Sequence, residues 1–140
     1  MPSSPRFMLD TNTVSDLIRN PSGKVSRKIA KEGTDSIAVS IVVAAELRFG
    51  AVKRGSSQIT TRVEAILNSI PILALEEPAE RHYADIRAAL ERAGTPIGPN
   101  DLLIAAHCRA LGLILVTANT AEFTKVRGLK LQNWLPKPSP

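Results

Sequence analysis

The chain has few aromatic residues, a single cysteine and no long apolar run. Cys108 is that cysteine, so no disulfide can form within the chain. It sits in the apolar string Ile104-Ala105-Ala106-His107-Cys108, framed by no motif, and reads as a small buried hydrophobe rather than a reactive thiol. A reducing cytoplasm is the expected compartment. The aromatics are Phe7, Phe49, Tyr83, Phe123 and Trp134, so the core has to be aliphatic. No segment approaches the roughly 20 apolar residues of a membrane span. The opening Met1-Pro2-Ser3-Ser4-Pro5-Arg6-Phe7 lacks the apolar middle of a signal peptide, and no membrane partner is expected. There is no Gly-rich phosphate loop and no Gly-x-Ser-x-Gly elbow. His82 and His107 share no ligand spacing with cysteine or acid, which argues against zinc. His82 reads as a surface residue and His107 as an ordinary helix histidine, satisfied or partly exposed.

The 140 residues fit one domain spanning 1–140, with about 136–140 as a flexible tail. Lys and Arg outnumber Asp and Glu by 18 to 13, a formal charge of +5. That excess bears on partners, not on fold, and points to nucleic acid. Arg19, Lys24, Arg27, Lys28, Lys31, Arg48, Lys53 and Arg54 crowd the first half. The plain alternative is a solvated basic face.

Short apolar runs alternate with helical stretches. Strands are expected at Phe7–Leu9, Ile37–Val39, Ile72–Leu75, Leu113–Thr117 and Leu129–Gln132. Leu113–Thr117, apolar and β-branched, is the best candidate for a buried central strand. Helices are expected over Thr13–Arg19, with Thr13 and Asp16 at capping-box spacing, and over Ser22–Lys31, Ile41–Lys53 capped by Ser40, Gln58–Ser69, Pro78–Ala93, and Asp101–Leu111 capped by Pro99-Asn100. Such alternation implies α/β crossovers and a mostly parallel sheet. Sites in such sheets gather outside the carboxyl ends of the strands.

Three acids stand beside residues that should be buried. Asp10 ends the first strand, Glu46 lies on the helix after Ser40, and Asp101 opens a later helix. Each has a local explanation: helix cap, solvated helix edge, or first-turn acid favoured by the helix dipole. A carboxylate facing a core costs roughly 1–3 kcal/mol without compensation. Three together in a basic chain suggest a shared cation, and oxygen-only ligands suit Mg²⁺.

The chain resembles the PIN-domain ribonucleases, and among them the VapC-type toxins of bacterial toxin–antitoxin pairs. Four ordered segments carry the resemblance: Met8-Leu9-Asp10-Thr11-Asn12; Ser40 through Glu46-Leu47-Arg48-Phe49-Gly50; Ile97-Gly98-Pro99-Asn100-Asp101 through Ala106; and Leu115-Val116-Thr117 through Phe123, then Val126 and Gly128-Leu129. It implies a PIN-like α/β fold, a five-stranded parallel sheet flanked by helices. It also implies an endoribonuclease dependent on Mg²⁺ or Mn²⁺, acting on transfer RNA or ribosomal RNA. Asp10, Glu46 and Asp101 match the family's metal-binding acids. Many relatives carry a fourth acid where this chain has Asn119, and Glu122, counted with the catalytic acids, is the alternative source of that charge. Thr11, Asn12, Thr117 and Asn119 match supporting positions. Lys24, Arg27, Lys28, Lys31, Lys53 and Arg54 are candidates to track RNA. The resemblance further implies a VapB-type antitoxin held along Thr13–Arg19 and Ile41–Lys53, and a homodimer formed around Gln58–Ala93, assembling as a heterotetramer or larger. The competing readings are a non-catalytic PIN-like binding domain and a nuclease acting on DNA.

Overall fold

In a computed structural model that describes residues 4–135, five parallel strands form one sheet in the order β3-β2-β1-β4-β5. They are β1 (Phe7–Leu9), β2 (Ile37–Ser40), β3 (Ile72–Leu73), β4 (Ile114–Val116) and β5 (Lys130–Gln132). The helices are α1 (Thr11–Arg19), α2 (Lys24–Glu32), α3 (Ile41–Arg54), α4 (Ser57–Ser69), α5 (Ala79–Arg92), α6 (Pro99–Leu111) and the short α7 (Thr120–Phe123). The five-stranded α/β architecture is as expected. The tail at about 136–140 lies outside the described residues. No helix among the described residues is long and apolar enough to cross a membrane.

Several local expectations are corrected. The central strand is β1, flanked by β2 and β4, not Leu113–Thr117. Phe7, Met8 and Leu9 are all buried, whereas Ile114 at the start of β4 is only partly so. A three-residue apolar run is too short to advertise that both its faces are covered. α1 starts at Thr11 because Asp10, not Thr13, is its cap, and Thr13 is the residue whose N–H is capped. Pro99 and Asn100 lie inside α6, with Pro99 in the first turn and Gly98 as cap. α2 begins two residues later than expected, after Gly23. α7 carries too few residues to show a helical period.

The core is aliphatic around Met8, Leu9, Val14, Val39, Val43, Ile104 and Leu115, all fully buried. Phe7 and Trp134 close one end edge to face, with centroids 5.1 Å apart. Cys108 is buried there as expected, and burial pushes its thiol up to about 12, leaving it unreactive. His107 is more buried than expected, at 2% exposure. Its Nδ1 pairs with Ser40 Oγ at 2.9 Å, and the same hydroxyl accepts from Val42 N–H at 3.1 Å, capping α3. His107 therefore pins α6 to the junction of β2 and α3. His82 is partly buried, its Nδ1 accepting from Arg109 Nε at 2.8 Å.

Candidate active site

The carboxyl edge of the sheet is where β1 ends beside β4. Asp10 N–H donates to the Val116 carbonyl at 3.0 Å, which fixes that corner. The Asp10 side chain accepts from Thr13 N–H at 2.9 Å, and Thr13 Oγ1 donates to Val116 O at 3.2 Å. Asp10 is thus the helix cap of its local explanation and, at 5% exposure, also a nearly buried carboxylate at the strand end. One capping bond uses one oxygen. Its other oxygen has no protein hydrogen bond among the described residues.

Ser40 starts α3 at the same edge and places Glu46 in its second turn. Glu46 Oε1 accepts from Thr11 Oγ1 at 2.6 Å and Oε2 from Asn100 Nδ2 at 3.2 Å. The carboxylate is thereby held between the first turns of α1 and α6. Asp101 stands in the first turn of α6. Glu122, on α7, accepts from Gly98 N–H at 3.2 Å and from the Asn119 side-chain amide. Thr117 is fully buried, and its hydroxyl accepts from Asn119 N–H at 2.9 Å. Thr117 therefore shapes the turn that presents Asn119, rather than lining the pocket with its own hydroxyl.

Asp101 registers the convergence. Its carboxyl is pushed up to about 6, first by burial and then by the negative charges of Glu122, Glu46 and Asp10, in that order. Three carboxylates on three other elements thus act on one acid. Glu122 is the nearest in effect, so the fourth negative charge at this edge is Glu122, with Asn119 as the residue that orients it. Among the described residues, no three acidic, imidazole or thiol groups are already drawn in to ligating separation. Thr11 and Asn100 hold the Glu46 carboxylate, and Gly98 and Asn119 hold that of Glu122. Mg²⁺ does not require a closed cage, since it keeps several waters and takes a few carboxylates together with phosphate oxygens. An all-oxygen acidic set that repels itself fits such an ion.

The other expected residues divide. Asn12 is exposed and makes no side-chain hydrogen bond among the described residues. The cations of α2 do not come to this edge. Arg6, just before β1, pairs with Glu32 at the end of α2 at 2.9 Å, and Lys28 pairs with Glu32 at 3.5 Å. Lys24 and Arg27 line a surface hollow with Arg19 and Asn20 at the far end of α1. Lys24, Arg27, Lys28 and Lys31 are therefore grouped at the amino edge, opposite the carboxylates. Lys53 and Arg54 close α3, and Arg54 lines a groove that also contains Thr11 and Glu46. Asn100 and Gly98 were not singled out from sequence. Asn100 had a signal in its place beside Asp101 in a helix-opening Pro-Asn-Asp string, but that string reads first as a cap. A backbone N–H such as Gly98's leaves no signal in sequence.

The PIN domain family model matches residues 7–129. A tRNA(fMet)-specific endonuclease VapC from Shigella flexneri is 38% identical over 133 residues, covering 92% of this chain and 98% of that protein. A ribonuclease VapC from Haemophilus influenzae is 38% identical over 132 residues, covering 93% and 98%. Among solved structures, a DNA-bound VapBC from Salmonella typhimurium aligns with a TM-score of 0.86 at 34% identity, over 93% of this chain and 98% of the other. With its acids gathered at the edge where β1 meets β4, the chain belongs to the PIN-domain family and, within it, to the VapC group.

Proposed function

We propose that the chain is a metal-dependent endoribonuclease toxin, hydrolysing phosphodiester bonds of structured RNA and silenced by a VapB-type antitoxin. The observation that carries the reading is the gathering of Asp10, Glu46, Asp101 and Glu122 at one sheet edge, where burial first and then the charges of Glu122, Glu46 and Asp10 push Asp101 up to about 6. An enzyme that keeps four carboxylates at one edge carries a standing electrostatic cost, and a dication relieves it. Asp10, Glu46 and Asp101 would hold Mg²⁺ or Mn²⁺, with Glu122 as the fourth carboxylate. When bound, such an ion lowers the pKa of a bound water and offsets charge on the phosphate. Thr11 and Asn100 fix the Glu46 carboxylate, each using one oxygen. Asn119 and Gly98 do the same for Glu122. Asp10 keeps one oxygen committed to α1 and one free. Pre-positioned acids of this kind lose little freedom on binding metal or substrate.

Transfer RNA is the first substrate to test, because the Shigella relative is named for it. The partner reading draws on the VapBC relative from Salmonella and on a groove between α1, α3 and α4. That groove has Thr11 and Glu46 at one end, Arg19 and Arg54 at the other, and Ile18, Leu47, Ile59 and Val63 between. A partner segment with an apolar centre and a basic end toward Glu46 would complement it. The test is sequencing of RNA ends after brief expression, with Asp10→Ala as control. A discrete cut absent from the variant is expected. Equal cutting by the variant, or cutting of DNA alone, would remove the reading.

A further inference from the structure

The sheet's other flank holds a feature that the site described above does not use. A cleft of about 620 Å³ runs between α5 and the segment joining α7 to β5. Arg92, Lys125 and Arg127 line it and are exposed, and none has a carboxylate partner among the described residues. By contrast Arg6, Lys28, Arg48, Arg87 and Arg109 are all paired with acids.

Arg109 makes the cleft a built one. Its side chain is only 16% exposed. It donates to His82 Nδ1 at 2.8 Å, to Asp85 at 2.8 Å and to the Arg127 carbonyl at 2.9 Å. Those bonds clamp the α7–β5 segment against α5 and α6, and Gly128 lies against the Arg109 stem with φ +82. All the donor directions of Arg109 that these bonds use are consumed within the protein. Arg92, Lys125 and Arg127 keep theirs for something else, and Asp85 is the one acid in the cleft.

Position gives the cleft its meaning. Gly98 N–H holds Glu122 at the acidic centre. Thr95 of the cleft lies three residues before Gly98, and Lys125 three residues after Glu122, so short stretches of chain join the cleft to the fourth carboxylate. A polyanion whose scissile phosphate reaches the carboxylates would have neighbouring phosphates within this concavity. The cations of α2, at the amino edge, offer no such continuity.

We propose that this cleft binds the phosphodiester backbone of the RNA strand next to the cleavage point, Arg92, Lys125 and Arg127 taking phosphate oxygens. The proposal rests on the ribonuclease reading for its substrate and is tested apart from it. Binding of fluorescently labelled transfer RNA is measured by anisotropy on the full chain carrying Asp10→Ala, with and without Arg92→Ala/Lys125→Ala/Arg127→Ala. Loss of the cleft cations should weaken binding roughly tenfold or more, and flatten the slope of log Kd against log salt by about 2, at ~0.7 per single-strand phosphate contact. A matched Lys24→Ala/Arg27→Ala/Lys31→Ala variant removes the same charge from the amino edge and should change Kd about twofold or less. Unchanged affinity and slope in the cleft variant, or equal weakening by both, overturns the proposal. Acetylation footprinting on the unsubstituted protein is the check that needs no variant: bound RNA should shield Lys125 and leave Lys31 reactive, and the reverse overturns it. Normal RNA cutting with a cleft that does not matter sinks only this proposal; cleft-dependent binding without any cutting sinks only the ribonuclease reading.

Discussion

At the scale of single residues, Asp101 sets the terms. Its folded-state pKa of about 6 lies above the ordinary 3.8. The folded protein therefore holds that proton more tightly than the unfolded chain does. Stability from this group is fully present below about 3.8 and is lost as pH rises through about 6. Unscreened, the shift would correspond to roughly 3 kcal/mol. Asp101 is only partly buried, so solvent screening leaves on the order of 1 kcal/mol. Two outcomes follow for the metal-free protein. Asp101→Asn should raise Tm at pH 7.5 by about 3 °C while abolishing RNA cleavage, the exchange of stability for activity expected at a self-repelling site. Mn²⁺ should raise the Tm of the native chain at pH 7.5 by more than at pH 5, where Asp101 is largely protonated, and should not do so for Asp101→Asn. Equal shifts in both proteins, followed by thermal melts, would mean that the ion binds elsewhere. Glu122 and Asn119 separate in the same way. Glu122→Gln should lose most activity, whereas Asn119→Ala, which frees the Glu122 carboxylate without removing it, should lose less.

At the scale of elements, the site depends on how α3 and α6 lie against each other, and the Ser40–His107 bond ties α6 to the start of α3. Burial holds His107 below the ordinary imidazole range, while the Glu76 charge and the Ala74 carbonyl favour the proton without offsetting it. Nε2 has no hydrogen bond of full geometry among the described residues, although that carbonyl lies close enough to act on the ring. The unfolded chain therefore binds the proton more readily. The stability contributed by neutral His107 is present above about 6.5 and drains away as pH falls below it. His107→Gln should flatten the acid side of the stability curve, measured by urea unfolding between pH 5 and 7.5. A wild-type slope in that variant would place the acid sensitivity elsewhere. Much of this level was legible in the sequence. Ser40 as cap and the β-rich runs both follow from local chemistry. What escaped was set by contacts distant in sequence. The Ser40–His107 pair spans 67 residues, and the central place of β1 is fixed by pairing with β2 and β4 rather than by its own three side chains. Asp10, Glu46 and Asp101 were legible because a carboxylate beside apolar residues is anomalous. Asn100 and Gly98, being neutral, were not. The place of the α2 cations was not legible either, because charge density along the chain says nothing of which sheet edge receives it.

At the scale of the whole molecule, the acidic edge runs into the α1–α3–α4 groove through Thr11 and Glu46, and the basic cleft lies between α5 and the α7–β5 segment. Glu46 lines the groove, so for a partner segment docked there capture and silencing would be one event, without a conformational relay. Gly50 tests this. It sits in mid-helix on the groove wall, one turn beyond Glu46, and a Cβ placed there meets nothing within 4 Å. Its φ is not in the left-handed region, so a side chain costs no backbone strain. Gly50→Ala should stabilise the chain by about 0.5–1 kcal/mol, the usual helical penalty of glycine. Gly50→Phe should keep that stability and fill the groove, weakening complex formation with the antitoxin by roughly tenfold or more, about 1.4 kcal/mol. The pair of variants separates the two effects, because only the larger side chain projects into the partner's space. Titration of antitoxin against each variant, beside thermal melts, gives both numbers. If Gly50→Phe binds the antitoxin as tightly as Gly50→Ala does, the groove is not the docking site, and silencing has to reach the carboxylates from the side of the basic cleft.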